Sequence, residues 1–214
     1  MSLPHPRNLL KGALILLALG APFVRAGGKA PALPSPGTYE IDPVHTFAYF
    51  AARHHVVGRV RGRFDKVTGL ITVSKDPAAS KVDVTIDIAS LSTQNAKRDE
   101  DLRSPAYFDG KQFPLMTYQG KGLHRGPGDT WTMDGFLTLH GVTRPVPLTF
   151  TFNGAFRDQD PGDPPRVAFH ATAATWRAEF GIGKRDNLTE LGSLSSPDVT
   201  IEIDVEADLQ PGKP

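Results

Sequence analysis

Apolar and polar residues alternate along most of the chain from Tyr39 onward. Val60, Gly62 and Phe64 alternate with Arg59, Arg61 and Arg63, and Val82, Val84, Ile86 and Ile88 with Asp83, Thr85 and Asp87. The same rhythm runs through Trp131 to His140, where Phe136 interrupts the polar face, and through Val146 to Phe152. It returns in Val199, Ile201, Ile203 and Val205, set against Thr200, Glu202, Asp204 and Glu206. A period of two with one dry and one wet face predicts half-buried strands, the kind found in antiparallel sheets. Turn signals separate them at Lys75-Asp76-Pro77, Gly126-Pro127-Gly128-Asp129 and Asp160 to Pro165. Thr143-Arg144-Pro145 reads as a further turn between two strands. Residues 93 to 107 lack alternation and are rich in charge and helix formers, which predicts one or two helical turns ending near Pro105.

Many evenly spaced strands with little helix leave a sandwich or a closed barrel. Closure removes exposed edges, which strands this apolar require. The expected inward positions are rich in small residues. Ala48, Phe50, Ala52 and His54 share one face of the first long strand; Gly62, Gly69, Gly120 and Gly135 fall in step with apolar neighbours; residues 167 to 175 are mostly alanine and threonine. A barrel of about eight strands is either just filled by its side chains or holds one small ligand. The small residues either leave an apolar tunnel or let the sheet taper and bend, and periodicity alone leaves both readings open.

The first 26 residues differ from the rest. Arg7 and Lys11 precede an apolar run from Gly12 to Ala21, and Val24 and Ala26 are small residues before a cleavage point. This is the pattern of a secretory signal peptide, and the run is shorter than the roughly 20 residues needed to span a bilayer. Residues 27 to 38 are rich in Gly and Pro and are expected to form a flexible leader before a single domain over 39–210. Removing Arg7, Lys11 and Arg25 changes the balance from 24 basic and 23 acidic residues to 21 and 23. A near-neutral chain of that kind argues against nucleic acid as a partner. The chain has no cysteine, which excludes disulfides, thiolate metal sites and thiol nucleophiles.

Four ordered motifs resemble the YceI-like family. His45-Thr46, Phe50, His54, Gly62 and Phe64 form the first, and Arg98-Asp99, Leu102, Arg103-Ser104, Phe108-Asp109 and Phe113-Pro114 the second. Gly135 with Leu137 to Val146 forms the third, and Arg177 with Phe180-Gly181-Ile182 the fourth. The resemblance covers about Tyr39 to Leu209. It implies an all-β, extended antiparallel lipocalin-like barrel of about eight strands with a short helical insertion. It also implies export to the periplasm, frequent homodimers, and binding of a long isoprenoid (a polyprenyl phosphate or a quinone tail) in an apolar tunnel. Asp101 stands where the family often has His, and Trp176 where a smaller or polar residue is usual.

The expected function is therefore to carry or sequester an isoprenoid or similar lipid, with no cofactor, no catalytic residue and no metal. Phe50, Phe64, Phe108, Leu137, Phe150 and Trp176 are the candidates to line the tail. His45 and His54 are candidates for head-group contact, since buried polar groups need partners, and Arg98 beside Asp99 either holds a head group by a charge-assisted bond or fixes the short helix against the barrel. Arg59, Arg61 and Arg63 are a solvated strand face or a collector of anions at a membrane surface. The alternatives are an enzyme acting on an apolar substrate in the same tunnel, tested by loss of turnover on changing His45 or His54, and a stress-related interaction protein with a filled barrel.

Overall fold

The computed structural model describes residues 32–54, 58–157, 162–182 and 198–212. The proposed signal peptide and residues 27–31 of the proposed leader lie outside them. The strands are β1 (Gly37–Ile41), β2 (Phe47–His54), β3 (Gly58–Phe64), β4 (Val67–Val73), β5 (Lys81–Asp87) and β6 (Leu91–Ser92). After the helix α1 (Ala96–Arg103) come β7 (Leu115–Arg125), β8 (Trp131–Leu139), β9 (Val142–Pro145), β10 (Leu148–Phe156), β11 (Arg166–Thr175) and β12 (Val199–Leu209).

All pairings are antiparallel, in the order β1-β4-β5-β7-β8-β10-β11-β12, and β1 also pairs with β12. The result is a closed barrel of 8 strands. Strand β12 makes the closure. Its first part pairs with β2 (Val199↔Ala52 to Asp204↔Phe47) and its last part with β1 (Ala207↔Ile41 to Leu209↔Tyr39). The joint between β1 and β2 is stitched to β12: Asp42 N–H donates to the Glu206 carbonyl (2.9 Å), and Glu206 N–H donates to Thr46 Oγ1 (3.1 Å). Thr46 is fully buried. Strands β3 and β6 extend the wall beside β2.

The alternation is realised in space. Val82, Val84 and Ile86 face the same interior as Ile201, Ile203 and Val205, while Arg59, Arg61 and Arg63 are exposed. Bulges interrupt β7–β8 between Lys121 and Leu123 and β10–β11 between Phe152 and Gly154. Such bulges bend a strand and increase its twist, which a closed barrel needs. Gly122, in the first of them, has φ +78°.

Residues 143–145, expected to form a turn, belong instead to strand β9. The reversal occurs at His140-Gly141, with φ +53° and +72°. Two successive positive φ values are what a tight two-residue hairpin of matching twist demands. The helix matches expectation: Asn95 caps it by accepting from Arg98 N–H, and it ends at Ser104, just before Pro105. The leader merges with the barrel earlier than its composition suggests. Gly37 already pairs with Val73, and Tyr39 donates its hydroxyl to the Ser35 carbonyl at 2.7 Å. Among the described residues, no helix is long and apolar enough to cross a membrane.

The buried apolar side chains form separate groups. One surrounds Phe64, Val67, Leu139 and Phe180 near α1. A second gathers Tyr39, Val73, Val167, Phe169 and Ala207 toward the other end, and a third joins Leu123, Trp131 and Met133, with Leu33 against it.

Candidate functional site

Between these groups the barrel encloses a cavity of about 240 Å³ with an almost wholly apolar lining. An apolar cavity of about 150 Å³ already stays dry and admits a benzene-sized guest. The lining reaches from Leu33, Ser80 and Lys81 near one end to Ala52, Arg177 and Val199 near the other. Along β12 it includes Val199, Ile201, Ile203 and Val205. At about 3.4 Å per residue that is roughly 20 Å of strand, or about 15 Å along the axis at the usual barrel tilt. This is the depth of one leaflet of a bilayer's roughly 30 Å hydrocarbon core.

Phe50, Phe64, Phe108, Leu137 and Phe150 all stand in the lining. Phe50, Phe64 and Phe108 form a chain of ring contacts, with centroids 5.6 and 5.8 Å apart. The space beside them comes from Ala48, Ala52, Ala171 and Ala173, which also line it. The glycines do not supply it. A Cβ on Gly62 would strike the Phe50 ring, one on Gly120 the Met133 side chain, and one on Gly135 the Tyr118 ring. Each glycine is covered by a large neighbour and lets that neighbour lie flat on the wall. Phe169, Tyr107, Tyr118, Ile201 and Ile203 also line the cavity and were not singled out from the sequence. The dry faces of β11 and β12 were the signal that held most of them.

Four expected contacts fall elsewhere. Trp176 is not in the lining: Thr175 faces inward at the end of β11, and the chain then turns at Trp176 into the 3-10 turn Arg177–Phe180, leaving the indole half-buried. His54 ends β2 beyond the last lining residue of that strand, Ala52, and is exposed. His45 belongs to the break between β1 and β2, where parity counted along an unbroken strand fails, and it lies outside the barrel wall. Arg98 is engaged in structure: Nε donates to Thr93 Oγ1 (2.7 Å) and Nη2 to the Thr93 carbonyl (2.8 Å). The buried Asp99 carboxylate accepts from the backbone N–H and the hydroxyl of the same threonine. The pair fastens α1 to the wall, and Leu102 of that helix reaches the cavity.

The residues of three motifs meet at this end. His140 Nδ1 lies 3.1 Å from the Phe180 carbonyl, and its ring packs edge-on against Phe113 with centroids 5.0 Å apart. Arg177 Nε is paired with Asp198 at 2.8 Å, and the Asp198 side chain is 1% exposed. Tyr118 brings a hydroxyl into the lining but donates it to the Val146 carbonyl (3.0 Å). Burial, aided by the Asp134 charge, pushes its pKa upward, so it offers no base or nucleophile near neutral pH.

A second polar constellation surrounds His45. Asp42, His45 and Glu206 bring potential ligand atoms within 4.8 Å of one another. Arg166 supplies positive charge there, reaching Asp42 (3.1 Å), Glu206 (3.1 Å) and Asp208 (2.7 Å). The hydrogen bond to Asp42, at 2.7 Å, raises the His45 pKa. Burial pushes Asp42 upward, but the bonds from His45 and Val44 N–H and the Arg166 charge outweigh it, and its pKa is lowered.

A closed antiparallel barrel of 8 strands with one short helix defines a lipocalin-like fold. The chain belongs to the YceI-like family, whose domain it matches over residues 39–207. A UPF0312 protein of Pseudomonas aeruginosa is 34% identical over 177 residues, covering 81% of this chain and 88% of the relative. The crystal structure of a Campylobacter jejuni YceI protein superposes with a TM-score of 0.59 at 27% identity, covering 74% of this chain and 90% of that one. A Saccharophagus degradans structure, described as a polyisoprenoid binding domain, superposes with a TM-score of 0.56 at 16% identity, covering 80% and 98%.

Proposed function

We propose that the protein binds a long-chain isoprenoid or a similar lipid and carries or sequesters it, with the tail in the barrel cavity. The observation that carries this reading is the cavity itself, long, narrow and lined almost throughout by hydrocarbon. Burial contributes roughly 0.8 kcal/mol per methylene, so ten enclosed carbons give about 8 kcal/mol before ordering costs, on the order of micromolar binding. No directed polar contact to the tail is needed at that level. Arg177, the cation of the lining near α1, is already neutralised by Asp198, and Lys81 at the other end is exposed, so a charged head group belongs at a mouth and not within the bore. The polyisoprenoid-binding description of the Saccharophagus degradans protein supplies the chemical class to test first.

The reading is of a binding protein, not an enzyme, acting in the periplasm after loss of its first 26 residues. The test is organic extraction of the purified protein followed by mass spectrometry, and uptake of added polyprenyl compounds by the extracted protein. A tail-bearing lipid recovered in stoichiometric amount supports the reading. Repeated absence of any lipid, together with no uptake, overturns it.

A further inference from the structure

The outer face of the β2–β3 hairpin gathers positive charge in an unusual way. Arg53 stands directly opposite Arg59, and Arg61 follows two rungs further along, opposite Ala51 and on the same face. Like charges directly opposite each other destabilise a sheet. Among the described residues, none of these three guanidinium groups has a carboxylate within 4.0 Å, whereas the next arginine, Arg63, is paired with Asp65 at 2.6 Å and lies over the Phe47 ring. Asp198, whose backbone meets Arg53, is committed elsewhere: it accepts Arg53 N–H through its carbonyl (2.9 Å) and turns its carboxylate to Arg177. Glu202 and Asp204 of β12 stand opposite Tyr49 and Phe47, farther along β2, and share a surface pocket with Arg61 without coming within 4.0 Å of its guanidinium.

The position of this cluster matters as much as its charge. The Arg53↔Arg59 rung follows directly on Ala52↔Val60. Ala52, Val199 and Arg177 are where the cavity lining ends on this side. Positive charge with no carboxylate partner among the described residues therefore sits on the outside of one cavity end.

We propose that this end of the barrel docks on an anionic lipid bilayer, with Arg53, Arg59 and Arg61 against lipid phosphates and the cavity end at the head-group layer. The proposal rests on the lipid-carrier reading for its purpose, but docking is measurable without any cargo. A bilayer fits better than nucleic acid. The cluster is a compact patch on one sheet face of a chain whose formal net charge is only +1, and duplex binding draws on a basic surface along many phosphates. Phosphate recognition also suits guanidinium groups, which form paired hydrogen bonds to phosphate oxygens.

The experiment is flotation of the full mature chain with vesicles of phosphatidylcholine alone and of phosphatidylcholine mixed with phosphatidylglycerol, at low and at high salt. Binding to the mixed vesicles only, weakened by salt, is expected. The triple variant Arg53→Gln/Arg59→Gln/Arg61→Gln should lose binding by on the order of a hundredfold at a melting temperature no lower than that of the wild type, since the facing like charges are removed. The corresponding triple Lys variant should keep most of it. Lys75→Gln/Lys121→Gln, which removes charge near the opposite end of the barrel, should leave binding as it was. No binding of the wild-type protein to anionic vesicles at low salt overturns the proposal. So does an equal loss in the lysine-to-glutamine control, or arginine-dependent binding to a DNA duplex with none to vesicles. Lipid recovered by extraction from a protein that fails to bind vesicles sinks docking and leaves the carrier reading standing. Vesicle binding by a protein that never holds lipid does the reverse.

Discussion

Gly135 shows how a single missing side chain shapes the wall. Its carbonyl accepts Val146 N–H (2.8 Å), and Val146 in turn accepts the Tyr118 hydroxyl. The Tyr118 ring lies where a Cβ on residue 135 would be. Gly135→Ala is expected to push Tyr118 off its acceptor. Overpacking of this kind costs about 1–3 kcal/mol, and losing the hydrogen bond adds about 1 kcal/mol. Thermal denaturation should show a melting temperature several degrees lower, and an unchanged value would refute this account of the glycine. The same logic separates two kinds of small residue that look alike in the sequence. Glycines 62, 120 and 135 are already filled by neighbours, whereas alanines 48, 52, 171 and 173 border empty space. Periodicity assigns a residue to a face but does not say whether a long side chain from the next strand lies across it. For that reason periodicity left a hollow and a tapered, filled barrel both open, and could not tell these alanines from these glycines.

At the scale of elements, the joint between β1 and β2 is the most dependent on charge. Its backbone is tied to β12 around Glu206, and Arg166 links Asp42 there to Glu206 and Asp208. His45 has a raised pKa because its protonated form is bonded to Asp42. Its contribution to stability is therefore fully present below the unfolded value of about 6.5 and is lost as pH rises through the folded value. Asp42 has a lowered pKa, so its contribution is present above the unfolded carboxylate value and is lost as pH falls through the folded one. Together they predict a maximum for this joint in mildly acid solution. Melting temperatures of the wild type and His45→Gln at pH 6 and pH 8 should converge toward the higher pH. A constant gap between them would exclude the ionic contribution. Strands were the most legible elements because each repeats its pattern over many residues. The β1–β2 break was not, since Asp42-Pro43-Val44-His45-Thr46 interrupts the alternation without a glycine pair to mark a turn, and the placement of His45 was lost with it.

For the whole molecule, capacity depends on the bore staying open. Ala173 faces it from β11, next to the end where α1 and the 3-10 turn Arg177–Phe180 close in. Ala173→Phe is expected to occupy the space proposed for a tail. Uptake of an added polyprenyl compound should fall at least tenfold while circular dichroism remains that of the wild type. Full uptake by a folded variant would place the ligand elsewhere. The family, the barrel and its five lining residues Phe50, Phe64, Phe108, Leu137 and Phe150 were all within reach of the sequence. The two ends of the bore were not, because they are built from chain reversals and from Asp99 and Asp198 turning inward to meet partners.

Strand β12, 11 residues long, is hydrogen-bonded along one side to both β1 and β2. The opening and final stretches of the domain thus share a single rail. A polypeptide still emerging has no ring to seal until Val199–Leu209 is present, and contacts of such separation make folding slow. Until then β1, β2 and β11 hold unpaired rims, the kind of template on which other chains assemble. Completion of the carboxyl-terminal strand is thus the step that turns an aggregation-prone sheet into a vessel.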